Sequence, residues 1–140
     1  NWNGRRLMEE SIPALLRAVE KTGRPHEILV VDNGSQDDSV SWLRSNYPQI
    51  RLLCLEKNYG FGEGNNRGVR AARADAVVLL NNDMIVDEDF LTPLLDGFSD
   101  SRVFAVASQV FFPSGKRREE TGHTRAALDV RTDAGIADAQ

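Results

Sequence analysis

Three groups of polar residues close apolar runs in this chain, and each could hold a ligand. Asp32-Asn33 ends "EILVVDN", a loop "KNYGFGEGNN" runs from Lys57 past Asn65, and Asn81-Asn82-Asp83 ends "DAVVLLN". Carboxylates and amides held at a strand end suit hydrogen bonding to the edge of a base or a sugar. Asn81-x-Asp83 adds hard oxygen donors that fit Mg²⁺ or Mn²⁺ shared with substrate phosphates. Asp32-Asn33-Gly34-Ser35 also reads as a turn followed by a helix cap, with Ser35 and Asp38 standing as a capping box. Asp87, Glu88 and Asp89 read as acidic groups at the start of the next helix, where the dipole favours them.

Other chemistry fits less well. The glycine loop does not carry a dinucleotide fingerprint: the glycine needed after Gly60 and Gly62 is Asn65, and the one needed after Gly62 and Gly64 is Arg67. A glycine loop that leads into a helix is still a place for phosphate or sugar. His26 and His123 are not spaced as metal ligands. Lys116-Arg117-Arg118-Glu119-Glu120 reads as a solvated charge run. Cys54 sits inside "RLLCLE" and reads as a small buried hydrophobe.

The elements that would position these groups follow from periodicity. Met8, Ile12, Leu15, Leu16 and Val19 give a helix with one apolar face, interrupted at Pro13, and Gly23 is its stop. Strands are expected at 27–33, 50–56, 75–81 and 102–112. Helices are expected between Ser35 and Pro48, over "RGVRAARA", and over "DEDFLTPLLDGF". Strands alternating with helices predict an α/β/α sandwich with a mostly parallel sheet, and such sheets bind ligands at the carboxyl ends of their strands. After about Pro113 the periodicity fades, so the expected layout is one domain over 1–140 with an ordered core to 113 and a polar tail over 114–140.

Composition sets bounds. Hydrophobic residues are 41% and charged residues 27% of 140, the balance of a globular domain. A formal net charge of −4 argues against a surface built for nucleic acid. One cysteine excludes a disulfide framework within the chain, and a reducing, cytosolic compartment is expected. No apolar run approaches the ~20 residues of a membrane span. The chain begins at Asn1 rather than Met, so a fragment is expected.

Taken in order, "NWNG", "EILVVDNGSQDDS", "NYGFGEGNNRG", "ADAVVLLNND" and "FFPSGKRREETG" resemble family 2 glycosyltransferases of the GT-A fold, most closely the bacterial rhamnosyltransferase-like branch. The resemblance runs from Asn1 to about Gly122. It implies a GT-A, Rossmann-like α/β/α sandwich whose first strand would precede "NWNG" and whose C-terminal half is not recognisable after Gly122. It implies transfer of a sugar from a nucleoside diphosphate sugar, of UDP or dTDP type, to a hydroxyl of a saccharide or lipid-linked acceptor. Transfer would be inverting and assisted by a divalent cation, Mg²⁺ or Mn²⁺, in the building of a cell-surface polysaccharide. By likeness, Asn3, Asp32 and Asn33 would hold the base and ribose, and Asn65 would line the donor pocket. Asn81, Asn82 and Asp83 would stand for the D-x-D metal motif, with Asp83 as its one charged ligand. The general base would lie outside this chain, and Glu119 and Glu120 are poor substitutes for it. The implied location is cytoplasmic, extending to the inner face of the membrane. Two other readings share these residues: a nucleotide-sugar-binding module without catalysis, and a phospho-receiver domain with Asp32 and Asp83 as its acidic positions.

Overall fold

The apolar stripe that begins at Met8 forms α1 (Arg5–Lys21) in the computed structural model, which describes residues 1–111. Met8, Ile12 and Val19 are buried, and the helix runs through Pro13 without the expected restart. It stops where predicted: Gly23 takes φ +61, a left-handed conformation that costs glycine little, and its N–H reaches Glu20 O at 3.1 Å.

β1 (Leu29–Asp32), α2 (Ser39–Asn46), β2 (Arg51–Cys54) and α3 (Phe61–Ala71) follow. β1 and β2 pair in parallel, with Leu29 opposite Arg51 and Asp32 opposite Cys54. Alternation along the strands assigns the two faces. Ile28, Val30, Ile50 and Leu52 turn toward Met8, Ile12 and Leu43, so α1 and α2 share one side. Val31 turns the other way and meets α3 at Gly68, where an added Cβ would come within 2.8 Å of Val31 Cγ2. Three layers result, the α/β/α arrangement expected. Leu43 is 2% exposed at the centre of the first core, and cutting it back to Ala would cost about 2–5 kcal/mol.

Arg51 lies on the α3 side and closes that helix by donating to Ala71 O, while its guanidinium also pairs with Glu27. Cations belong at a helix C-terminus, where free carbonyls gather. α3 itself starts earlier than its composition suggests. Phe61 to Asn66, expected as loop, form its first turns. Each glycine in a helix costs about 1 kcal/mol against alanine. Here Gly64 and Gly68 are buried where a side chain would crowd Asn33 and Val31, so close packing offsets the cost.

Three further expectations change. Ser35 is no part of a capping box: α2 begins at Ser39, whose N–H bonds Asp37 Oδ1 at 3.0 Å, and Ser35 bonds Asp32 instead. Cys54 is exposed rather than buried, at the end of the outer strand, where Arg44 Nη2 lies 3.9 Å from its sulfur. Residues 75–81 and 103–110 form no ladder. Val77 to Leu80 stay between 37% and 62% exposed. A strand needs a neighbour for its backbone groups. Among the described residues the second edge of β1 meets Asn1: Asn1 N donates to Val31 O and Asn33 N to Asn1 O, each at 2.7 Å. The β-propensity of 77–80 finds no ladder partner among the described residues.

The helix expected over 87–98 shortens to α4 (Leu91–Asp96) and a 3₁₀ turn over Gly97–Ser99. Leu91 joins Ala18 and Val19 of α1 in a second buried cluster, flanked by Leu15, Ile28, Val86 and Phe90. Contacts divide the chain into 1–106 and 107–140. Of the second unit only 107–111 are described, an extended stretch ending in an isolated bridge at Phe111. Glu119, Glu120, His123 and the polar tail lie outside the described residues.

Candidate functional site

Asp32 is 2% exposed, an unusual place for a carboxylate, and it is fully engaged. It accepts from Ser35 Oγ at 2.6 Å, Ser35 N at 2.9 Å and Asn1 Nδ2 at 2.9 Å. Asn1 is the hub of this corner, because its Oδ1 also accepts from Asn82 Nδ2 at 2.8 Å. Asn3, at φ +49, gives its N–H to Ser35 Oγ and takes those of Gln36 and Asp37 on its Oδ1. Gly4 packs under this corner: an added Cβ would lie 2.4 Å from Asn82 Nδ2 and 2.6 Å from Asn1 Oδ1, displacing the two amides that meet there. Asn3, Asp32 and Asn82 are thus joined through Asn1 and Ser35.

Asn33, beside them, faces the glycine loop. Its Nδ2 donates to Asn58 Oδ1 at 3.0 Å and to Gly60 O at 3.1 Å, and its Oδ1 accepts from Tyr59 N at 3.0 Å. Gly34 (φ +76) passes so close to the loop that a Cβ would sit 2.6 Å from Lys57 Cα and carbonyl carbon. Asn65 stands half-buried in the second turn of α3, not in a loop. Two cations gather on the Tyr59 ring, Arg67 at 4.0 Å and Lys57 at 5.3 Å from its centroid, and Glu63 holds Arg67 at 2.8 Å.

Asn81 and Asp83 are exposed, on a turn closed by Met84 N donating to Asn81 O at 3.2 Å. Asp83 makes no hydrogen bond or ion pair among the described residues. The acidic run after it does not serve the next helix as expected. Glu88 pairs with Arg17 at 2.8 Å and Asp89 with Lys21 at 2.7 Å, and the hydrogen bond that Lys21 donates to Asp89 raises the Lys21 pKa. Among the described residues no group of three or more His, Cys, Asp or Glu gathers as a ready-made metal cage. One exposed carboxylate does fit Mg²⁺ or Mn²⁺ in the mode where water and phosphate oxygens complete the shell.

A cleft of about 590 Å³ opens at the opposite end of the strands, near His26, Glu27, Arg51 and Arg73. Its best-placed charges, Glu27 and Arg51, already pair with each other, and none of the strand-end groups reaches it. The carboxyl edge is therefore the better candidate. Sequence reasoning passed over Asn1, Ser35 and Asn58 as site-building residues. Ser35 and Asn58 lay inside the turn and the glycine loop already singled out, and Asn1 two residues before Asn3, but none was read as a partner of the others.

Comparison with known proteins identifies the family. The model of glycosyl transferase family 2 matches residues 2–136. The uncharacterized glycosyltransferase YwdF of Bacillus subtilis (strain 168) is 35% identical over 88 residues, 59% of this chain and 30% of that protein. An undecaprenyl-phosphate 4-deoxy-4-formamido-L-arabinose transferase of Pectobacterium atrosepticum is 36% identical over 84 residues, 54% of this chain and 26% of the relative. The chondroitin synthase of Escherichia coli is 31% identical over 84 residues, 58% of this chain and 12% of the synthase. The matched stretches span less than a third of each of these relatives. With a family match over nearly its whole length and a parallel α/β fold whose polar strand ends converge, this chain belongs to glycosyl transferase family 2.

Proposed function

We propose that the chain forms the donor side of an enzyme that moves a sugar from a nucleoside diphosphate sugar to an acceptor hydroxyl. The observation that carries this reading is the junction of Asn3, Asp32 and Asn82, drawn from three distant segments, at the carboxyl edge of a parallel sheet. Base and ribose would lie along Asn3, Asp32 and Asn33. Asn65 would face the sugar-diphosphate from α3, and Asn81, Asn82 and Asp83 would meet the diphosphate. Lys57 and Arg67 add positive potential beside the loop, where a diphosphate is attracted.

Asp83 would hold Mg²⁺ or Mn²⁺, which when bound would stabilise the negative charge that grows on the leaving diphosphate. The acceptor hydroxyl would lose its proton to a carboxylate base that we do not place among these edge residues, and in-line attack would invert the anomeric carbon. For the donor we favour a UDP or dTDP sugar, and for the subgroup the rhamnosyltransferase-like branch, on the motifs alone. The relatives' names speak of undecaprenyl phosphate and of chondroitin, and we take a lipid-linked or saccharide acceptor from that range. No helix among the described residues is long and apolar enough to cross a membrane. A cytoplasmic site of action at the inner membrane face, in cell-surface polysaccharide assembly, suits such acceptors. Membership in a transferase family favours this reading over a phospho-receiver.

The test is calorimetric titration of the full-length protein with UDP and with dTDP, each with and without Mn²⁺, beside Asp83→Ala. Metal-dependent binding that is lost in the variant is the expected result. Binding with no turnover of any donor sugar would mark a binding module, and no binding of either nucleotide would overturn the donor reading.

A further inference from the structure

We infer that Asn33 is a positioning residue, which sets the conformation of the loop 57–60 and through it the affinity for the donor. The inference rests on the donor reading above. Asn33 is 9% exposed, and among the described residues the hydrogen bonds of its side-chain amide all go to the loop. Backbone atoms fix which way that amide points. Gly60 O can only accept and Tyr59 N can only donate, so Nδ2 must face the first and Oδ1 the second. Asn58 completes the arrangement, since its Oδ1 takes both Asn33 Nδ2 and Gly60 N, the latter at 2.7 Å.

The clamp is tight on two sides. Gly34 leaves no room for a Cβ against Lys57, and a Cβ at Gly64 would lie 3.3 Å from Asn33 Nδ2. Gly60, held at both its N–H and its C=O, turns at φ +83 directly into the first residue of α3. One side chain from the end of β1 therefore fixes where α3 begins and where Tyr59 stands with the cations on its ring.

An aspartate at position 33 cannot replace this amide. It offers oxygen where Asn58 Oδ1 and Gly60 O both need a donor, and it places a carboxylate facing two acceptors at a position that is only 9% exposed, which is costly. The change is small in volume and large in hydrogen bonding.

The experiment uses Asn33→Asp, Asn58→Ala and the double variant of the full-length protein. Two readouts are taken: amide hydrogen exchange at Tyr59 and Gly60 without nucleotide, and calorimetric UDP and dTDP affinity with Mn²⁺. Asn58 is exposed, so its variant tests the clamp even if Asn33→Asp fails to fold. We expect each single variant to speed exchange at Gly60 and to weaken nucleotide binding by about tenfold, the worth of one such bond. The double variant is expected to do little more than either one, as members of one network do. Weaker binding with unchanged exchange would overturn positioning and make Asn33 a direct ligand. Faster exchange with unchanged affinity would overturn the link from loop to donor while leaving the family reading intact. Failure of the unsubstituted protein to bind either nucleotide would instead remove the donor reading itself, and that result is read before any variant is compared.

Discussion

The β1–β2 edge and the arm from Asn81 to Leu91 both carry candidate donor-site residues, yet different forces hold them. At the edge, strand ends interlock. Asp32 and Asn33 are buried, their partners are backbone, amide or hydroxyl groups, and two glycines leave no room there for a side chain. The arm makes no ladder. Its outer side is tied to α1 by the exposed pairs Arg17–Glu88 and Lys21–Asp89, and its inner side by Val86, Phe90 and Leu91. One side-chain bond, Asn82 to Asn1, links the two regions. On the proposed donor reading the contrast teaches a division of labour: base and ribose would meet a prepared surface, while the turn proposed to hold the metal would settle when metal and diphosphate arrive together.

Gly34→Ala should break the comparison most strongly. It puts a Cβ on the backbone of Lys57 at a positive φ, and backbone strain with a hard clash costs about 3 kcal/mol or more. Denaturant unfolding should show that loss, while the same experiment on Asn81→Ala in the arm should show a change within about 0.5 kcal/mol.

Asp37→Ala sharpens the comparison through pH. The Asp37 carboxylate takes the first N–H of both α1 and α2, from Arg5 at 3.3 Å and from Ser39 at 3.0 Å. Partial desolvation works to raise its pKa, but the bonds from Ser39 and Arg5 outweigh it and the value is lowered. A carboxyl whose folded pKa is depressed contributes stability above its unfolded value, about 3.9, and loses it as pH falls through the folded value. At pH 7 the variant should be less stable by about 0.5–1 kcal/mol, the low end for a lost helix cap. The gap between the two unfolding curves should begin to shrink below about pH 4 and close once the pH is under the lowered folded value. A gap that persisted in acid would sink the assignment.

Arg17→Ala should have the smallest effect. An exposed pair is worth about 0.2–1 kcal/mol and fades with salt. Global stability should hardly move, and hydrogen exchange should quicken at Val86 to Phe90 while Tyr59 and Gly60 stay protected. Equal change in both regions would show that arm and edge move as one.

How much of this could be read from the residues depends on the range of the interactions. α1, its stop at Gly23, β1 and β2 rest on local periodicity and turn chemistry, and these were legible. The clustering of polar groups at strand ends was legible too, because apolar runs that stop short announce an edge. The partnerships were not. Asn33 meets Asn58 across 25 positions, Arg17 meets Glu88 across 71, and Asn1 meets Asn82 across 81. Nothing in a local pattern says that acidic residues at 87–89 answer basic ones on α1 rather than the helix that follows them. The run at 77–80 fails in the opposite way: Val and Leu announce a strand, but whether one forms is decided by a neighbouring edge, and among the described residues none pairs with it.

Cys54 gives the edge a further use. It is the one cysteine of the chain, its thiol is free and exposed, and it stands at the end of β2 just ahead of Lys57. A single maleimide dye would attach there with no engineered background to remove. Its emission would show whether the surroundings of the neighbouring loop change when a nucleotide is added, so the stretch that had suggested a buried filler becomes an optical handle on this edge.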